Sequence, residues 1–332
     1  MNKIITTLVL AGLVFACKPK SEDIRPQEET ACRKLSYKDI IGSTVMISEN
    51  YVYDITGKLI EFNRLGKTIR YTYDTQGNLL KTTEYTQNLN GEVKLSEIEN
   101  TYNATNQLVK QITHVYNYQS MFDKETEVLY EYHANGKMKK KTTTNLTLPV
   151  PDSIVDYNEK GKEILIQYRS GQYLKTEYNG ADLIVKQTGY YPSNNQTTEV
   201  IHEYNTQNLE VKYTISINGV RDSYMTYEYN AKGKLIMQIQ YNGDSTIGRK
   251  YIIEYTGENY KISTYNGPSQ LLGYEINEIQ NGLLMKWSAY QNNKLVYYMT
   301  YAYDSHKNLI ELTTFNNNSA MTERQEWIYQ CD

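Results

Sequence analysis

The sequence predicts an all-β protein: an array of about twelve antiparallel β-hairpin repeats forming one continuous, twisted and wound meander sheet. Three observations carry this expectation. A short phrase built on Tyr, Asp or Asn, Gly and Leu recurs along the chain, and the residues around it alternate with period two. Tyrosine, with 34 copies against 4 of Phe, dominates a chain of mean hydropathy −0.65. A tyrosine has a broad apolar ring and a hydroxyl that needs a partner or water, so this composition suits half-wet sheet faces better than a thick apolar core.

Aligned on the tyrosine, the units open with Tyr53-Asp54-I-T-Gly57-K-Leu59 and Tyr73-Asp74-T-Q-Gly77-N-Leu79. Tyr102-Asn103-A-T-Asn106-Q-Leu108, Tyr132-His133-A-N-Gly136-K-Met138 and Tyr157-Asn158-E-K-Gly161-K-Glu163 follow. Then come Tyr204-Asn205-T-Q-Asn208-Leu209, Tyr229-Asn230-A-K-Gly233-K-Leu235 and Tyr303-Asp304-S-H-K-N-Leu309. Shorter copies sit at Tyr178-Asn179-Gly180, Tyr255-T-Gly257 and Ile279-Q-Asn281-Gly282, and Trp327-I-Tyr329 is a last half-unit. The spacing averages about 25 residues, within the range of repeat arrays.

Each position in the phrase has a reason. Asp or Asn after the tyrosine caps a turn with its side chain, and Gly or Asn three residues later accepts the positive φ that closes it. That is a type I turn with a bulge, a common hairpin connection. Before one turn, Ile69, Tyr71 and Tyr73 alternate with Thr68, Arg70 and Thr72; after it, Thr82, Thr83 and Tyr85 keep β propensity high. The Tyr and Leu flanking the turn face each other across the strands. A lone hairpin is not stable, so the units must associate.

The units resemble the YD repeats of the RHS family, over roughly Ser48 to the end of the sequence. That resemblance implies a wound β-sheet of the kind that forms shells around toxin cargo and parts of some cell-surface adhesion proteins. The sequence departs from the toxin members in two respects. It has no Asp-Pro-x-Gly-like self-cleavage motif, and no non-repeat segment follows Trp327–Tyr329. What the resemblance implies is therefore architecture.

The hairpins' other ends are longer and irregular, as in 87–94, 117–125, 145–153, 191–199 and 242–249. Uniform turns on one rim and variable loops on the other is how repeat proteins often place a binding edge. Pro149 and Pro151 mark the one candidate bend in the array.

The first residues read as an export signal. Lys3 precedes the apolar run Ile4–Phe15, too short for a permanent membrane span. The quartet Val14-Phe15-Ala16-Cys17 resembles the bacterial lipobox, with Phe15 where a small residue is usual. The resemblance implies cleavage before Cys17 and its lipidation, hence a chain anchored to a membrane. Lys18, in place of an inner-membrane-retaining Asp, implies the outer membrane, with the protein periplasmic or surface-exposed. The expected organisation is a signal peptide over 1–16, a lipidated acidic tether over 17–40 and the repeat domain over 41–332.

Cys32 and Cys331 remain, one near each end of the domain, and an exported pair is a candidate disulfide. About 23 strands at ~4.8 Å spacing would make a flat ribbon roughly 110 Å wide. The ~19 residues from Cys32 to Tyr51 reach at most ~65 Å. The bond is thus impossible in an open flat ribbon and requires the array to wind back on itself.

Chemistry is sparse. A net charge of −3 and a pI near 5.9 give no case for nucleic-acid binding. His114, His133, His202 and His306 do not pair at metal-ligand spacing, and there is no G-x-S-x-G, phosphate loop or H-E-x-x-H. His133 sits at a turn-capping position. Asp152 and Asp156 are the nearest approach to a carboxylate pair, and Asp54, Asp74 and Asp304 lack the density of a calcium loop. Lys137 and Lys139–Lys141 form one basic run on a net-negative chain. The expectation is a protein without enzymatic activity, cofactor or metal that binds a glycan or a protein at the cell envelope. The alternative is an RHS-like shell or scaffold that encloses or caps a secreted polypeptide.

Overall fold

A computed structural model describes residues 32–89, 91–117, 122–148 and 150–331. Those residues form strands and the turns between them. The first six strands are β1 (Arg33–Ile41), β2 (Thr44–Tyr53), β3 (Leu59–Arg64), β4 (Lys67–Tyr73), β5 (Leu79–Asn88) and β6 (Gly91–Tyr102). Next are β7 (Leu108–Tyr116), β8 (Phe122–Tyr132), β9 (Met138–Asn145), β10 (Ser153–Tyr157), β11 (Glu163–Tyr168) and β12 (Tyr173–Tyr178). Then follow β13 (Ile184–Tyr191), β14 (Gln196–Tyr204), β15 (Glu210–Ile217), β16 (Val220–Tyr229), β17 (Leu235–Asn242) and β18 (Ile247–Thr256). The last are β19 (Asn259–Asn266), β20 (Gln270–Gln280), β21 (Leu283–Gln291), β22 (Lys294–Tyr303), β23 (Leu309–Asn316) and β24 (Met321–Gln330).

Each strand pairs with the next, and β1 also pairs with β24, so the sheet closes into a 24-stranded β-barrel. This corrects the expected array of about twelve hairpin repeats in one continuous, twisted and wound meander sheet. Closure needs a strand that the repeat phrase does not announce. β1, which carries no copy of the phrase, supplies the edge that β24 pairs with. A closed sheet leaves no row of unpaired backbone groups, which an open ribbon would expose at both ends. The expected tether over 17–40 is corrected at its C-terminal end too, because Arg33–Ile40 belong to β1. β9 and β10 pair from Ser153↔Thr143 to Asp156↔Lys140, so the array continues across the proposed bend; Pro149 lies outside the described residues.

The turns explain the phrase. The Asp54 N–H donates to the Lys58 carbonyl at 2.9 Å, and the Gly57 N–H to the Asp54 carbonyl at 3.0 Å. Asp54 Oδ1 accepts from the Thr56 N–H at 2.8 Å and the Lys58 N–H at 3.0 Å. The same pattern recurs at Asp74, Asn103, Asn158, Asn205, Asn230 and Asp304. The closing residue lies in the left-handed region, as at Gly77 (φ 93°), Gly233 (φ 73°), Asn208 (φ 62°) and Lys307 (φ 65°). Glycine has no Cβ penalty there, and asparagine tolerates the conformation. A register shift at the tyrosine then sets Tyr53 opposite Leu59, Tyr73 opposite Leu79, Tyr229 opposite Leu235 and Tyr303 opposite Leu309.

Among the described residues the sheet has no oily core. Val128 is the one buried apolar residue among those described, while Thr68, Thr83, Ser263, Ser288 and Thr313 are buried in mid-strand. Among the described residues, strands β2 to β23 touch only their sheet neighbours. Cohesion rests on the backbone ladder and on cross-strand side-chain pairs.

The residues form two compact units, Lys34–Tyr329 and a terminal one that includes Cys32, Arg33, Gln330 and Cys331. Within the terminal unit, Cys32 and Cys331 form a disulfide with Cα atoms 4.1 Å apart.

Candidate functional site

Period two separates the sheet into two chemically distinct faces. One carries the tyrosines of the repeat phrase. Most of their hydroxyls make a regular series, donating to the backbone carbonyl of the first residue after the preceding turn or next to it; Tyr157 instead donates to Glu163 Oε1 at 3.4 Å and Tyr53 to the Lys34 carbonyl at 2.8 Å. Tyr73 reaches Leu59 at 2.7 Å, Tyr102 reaches Leu79 at 3.0 Å and Tyr132 reaches Leu108 at 2.6 Å. Tyr204 reaches Ile184 at 2.7 Å, Tyr229 reaches Glu210 at 2.8 Å and Tyr303 reaches Leu284 at 2.9 Å. A phenylalanine makes no such bond, which accounts for the composition. Burial raises the phenol pKa values of Tyr71, Tyr130, Tyr204, Tyr213, Tyr227 and Tyr301 above the ordinary tyrosine range.

The opposite face carries ion pairs and stacked rings. Lys81 meets Glu99 at 2.8 Å, Lys186 meets Glu199 at 2.5 Å and Lys212 meets Glu203 at 2.8 Å; Lys110 pairs with Glu127. Arg70 holds Glu92 through two N–H groups and Glu61 through a third, which raises its own pKa. Tyr224 stacks on Tyr241 with centroids 4.4 Å apart, Tyr274 on Tyr290 at 4.6 Å and Tyr298 on Phe315 at 4.7 Å. Lysines lie over several of these rings, such as Lys261 over Tyr274 at 4.8 Å. These rings are already partnered.

On the tyrosine face the regular lining is interrupted at β18–β22. Gly273 lies opposite Thr264 and Gln291, Glu275 opposite Ala289, and Ala289 opposite Tyr297. A Cβ at Gly273 would stand 2.4 Å from the Tyr290 carbonyl oxygen, so only glycine fits this backbone approach. With Gly273 and Ala289 diagonal to each other on this face, a niche of about 330 Å³ opens, walled by Arg249, Glu275, Gln291 and Tyr297. The Trp287 indole N–H donates to Glu275 Oε2 at 3.0 Å and its ring lies 5.1 Å from Tyr297. Tyr297 is 36% exposed. Among the described residues Arg249 has no hydrogen-bond or ion-pair partner through its guanidinium. A second hollow, about 390 Å³, is lined by Ser170, Gln172, Tyr191, Pro192 and Ser193 and has no charged group.

The residues singled out from sequence fall into place as structural ones. Tyr53, Asp54, Gly57, Tyr73, Asp74, Gly77, Tyr229, Asn230, Gly233, Tyr303 and Asp304 build turns and the tyrosine series. Hydrogen bonds from Lys58 to Asp54, from Asn78 to Asp74 and from Asn308 to Asp304 head the causes that hold these carboxyls below the ordinary range. Their oxygens serve the turn. His133 Nε2 lies 3.2 Å from the Tyr157 carbonyl oxygen. Asp152 pairs with Arg169, and Asp156 sits in β10 opposite Leu165, so the two do not form a carboxylate pair. Cys17 lies outside the described residues. The niche residues were not singled out by motif. The signals available were a glycine inside a strand and Trp287, one of two tryptophans.

No family model and no curated protein matches the chain. Among solved structures, a crystal structure of TcdB2-TccC3 without its hypervariable C-terminal region is similar at 11% identity and a TM-score of 0.41, over 89% of this chain and 20% of that one. A Photorhabdus luminescens Tc holotoxin pore structure matches at 12% identity and a TM-score of 0.28, over 90% of this chain and 19% of that one. A porin-like protein from Bacteroides uniformis matches at 11% identity and a TM-score of 0.28, over 90% of this chain and 97% of that one. The chain spans about a fifth of the toxin-complex chains it matches. These likenesses are too distant to assign a family.

Proposed function

We propose that this protein is an RHS-like, non-catalytic lipoprotein of the outer membrane, anchored through Cys17, whose closed sheet binds a glycan or a protein at the cell envelope. The observation that carries the binding reading is the niche at Gly273. An exposed aromatic ring, an unpaired guanidinium and an oriented carboxylate meet there on the face that carries the tyrosines of the phrase. Small-ligand sites combine aromatic walls with a few placed polar groups in this way.

A membrane-spanning barrel is a poorer reading. Such barrels present an outward apolar band about 25 Å tall. Here one face carries Lys–Glu pairs along the array, and the other carries Glu49, Arg64, Lys67, Glu84 and Arg249 among its tyrosines. Neither face suits lipid. Closure of the sheet favours one second reading, a shell that encloses or caps a secreted polypeptide.

The test has two parts. Full-length protein in a Gram-negative host should incorporate radiolabelled palmitate, and Cys17→Ala should not. The soluble chain lacking the first seventeen residues should bind a saccharide on an array or a defined envelope protein in a direct titration. Absence of both kinds of binding, with a single polypeptide co-purifying from inside the ring, would replace the binding reading with the shell.

A further inference from the structure

We propose that the Gly273 niche is a carbohydrate subsite for one neutral pyranose ring, stacked on Tyr297 and hydrogen-bonded through its hydroxyls to Glu275, Gln291 and Arg249. This rests on the binding reading above and names its ligand class.

Four features select that ligand. The volume, about 330 Å³, falls at the small end of ligand pockets and suits one or two rings rather than a folded partner. The partly exposed ring of Tyr297 offers the apolar platform that a pyranose C–H face needs, and Trp287 packs beside it. The indole N–H takes up Glu275 Oε2, which turns the carboxylate in a defined direction and leaves Oε1 for a ligand hydroxyl. Guanidinium and carboxylate are both planar two-point groups that match a pair of adjacent hydroxyls. Their charges oppose one another in the same niche, so the site does not favour a strongly anionic or cationic ligand.

Gly273 and Ala289 complete the site by what they lack. With no side chain beyond Cβ at either position, the floor is main chain, and a ring can lie flat beside Tyr297. The other hollow, at Ser170–Ser193, has a tyrosine and a proline but no charged group to orient hydroxyls. The stacked pairs on the opposite face bury their ring surfaces against each other.

The soluble protein should be screened on an array holding neutral and uronic-acid or sialylated oligosaccharides, and the best ligand titrated by calorimetry. Tyr297→Ala and Arg249→Ala remove exposed groups, and Ala289→Leu fills the niche; thermal melts matching the parent confirm that each is folded. Each variant should weaken binding of a neutral saccharide by about tenfold or more, roughly 1.4 kcal/mol. Tyr191→Ala, in the other hollow, should leave it unchanged. Preference for acidic saccharides, or neutral binding untouched by all three variants, would overturn the subsite while leaving the binding reading intact. Binding of no saccharide would overturn the subsite as well. The binding reading would then stand or fall on titration against envelope proteins.

Discussion

Tyr37 of β1 and Trp327 of β24 pack across the line where the sheet closes, with ring centroids 5.3 Å apart and planes inclined at 39°. Trp327 belongs to the last half-unit of the repeat, and Tyr37 to the strand that precedes the first unit. The pair therefore joins two ends of the chain that share no repeat register. An aromatic pair of this kind contributes about 0.5–1.5 kcal/mol beyond its buried area. A double-mutant cycle of Tyr37→Ala and Trp327→Ala in urea should return a coupling of about 1 kcal/mol. A coupling indistinguishable from zero would mean that backbone pairing alone closes the sheet.

The Cys32–Cys331 bond spans a sequence separation of 299 residues. In the chain-entropy account, a loop of that length restricts the unfolded chain by about 6 kcal/mol. Cys32→Ser/Cys331→Ser should therefore lower unfolding free energy by several kcal/mol, read from urea midpoints at unchanged slope. An equal midpoint in reduced and oxidised protein would place the stabilisation elsewhere.

Asp39 of β1 lies beside Glu323 of β24, with Tyr37 and Glu49 nearby, and its Oδ1 is buried without a hydrogen-bond partner among the described residues. Burial first, then the charge of Glu323, raises the Asp39 pKa. A raised folded-state pKa gives stability that is complete below the unfolded value, about 3.9, and is lost as pH rises through the folded value. Asp39→Asn should thus raise the melting temperature near neutral pH and leave it nearly unchanged at about pH 3. A larger gain in acid than at neutrality would reverse the assignment.

The tyrosine series predicts what conservative removal of one hydroxyl does. Tyr229→Phe keeps the ring and deletes the bond to the Glu210 carbonyl. It should destabilise by about 1 kcal/mol. Tyr224→Phe, whose ring stacks on Tyr241 and whose hydroxyl makes no such rung, should cost less. Equal losses would show that the hydroxyl is not what selects tyrosine in the phrase.

Hairpins, turn chemistry and the Tyr–Leu facing were legible because they are local. Asp74 caps a turn that ends five residues on, and its reasons lie within those residues. The preference for Tyr over Phe was legible as a half-wet face, but its cause was not. The hydroxyl of Tyr102 finds the Leu79 carbonyl 23 residues back, and that distance depends on how neighbouring hairpins register. The niche was less legible still, because Arg249, Glu275, Gln291 and Tyr297 come from different strands, and only the ladder brings them to one place.

By itself the sequence determined that the repeat region is β, where the turns of the phrase fall and that their closing Gly or Asn takes a positive φ, because each follows from a few neighbouring side chains. Whether the sheet stays open or closes was decided by tertiary structure. Closure depends on the accumulated twist and stagger of many strands and on the meeting of β1 with β24, two segments separated by nearly the whole chain. The same is true of the gap in the tyrosine lining, since Gly273 opens a cavity only where the ladder also sets Ala289 on the same face, diagonally across the neighbouring strand.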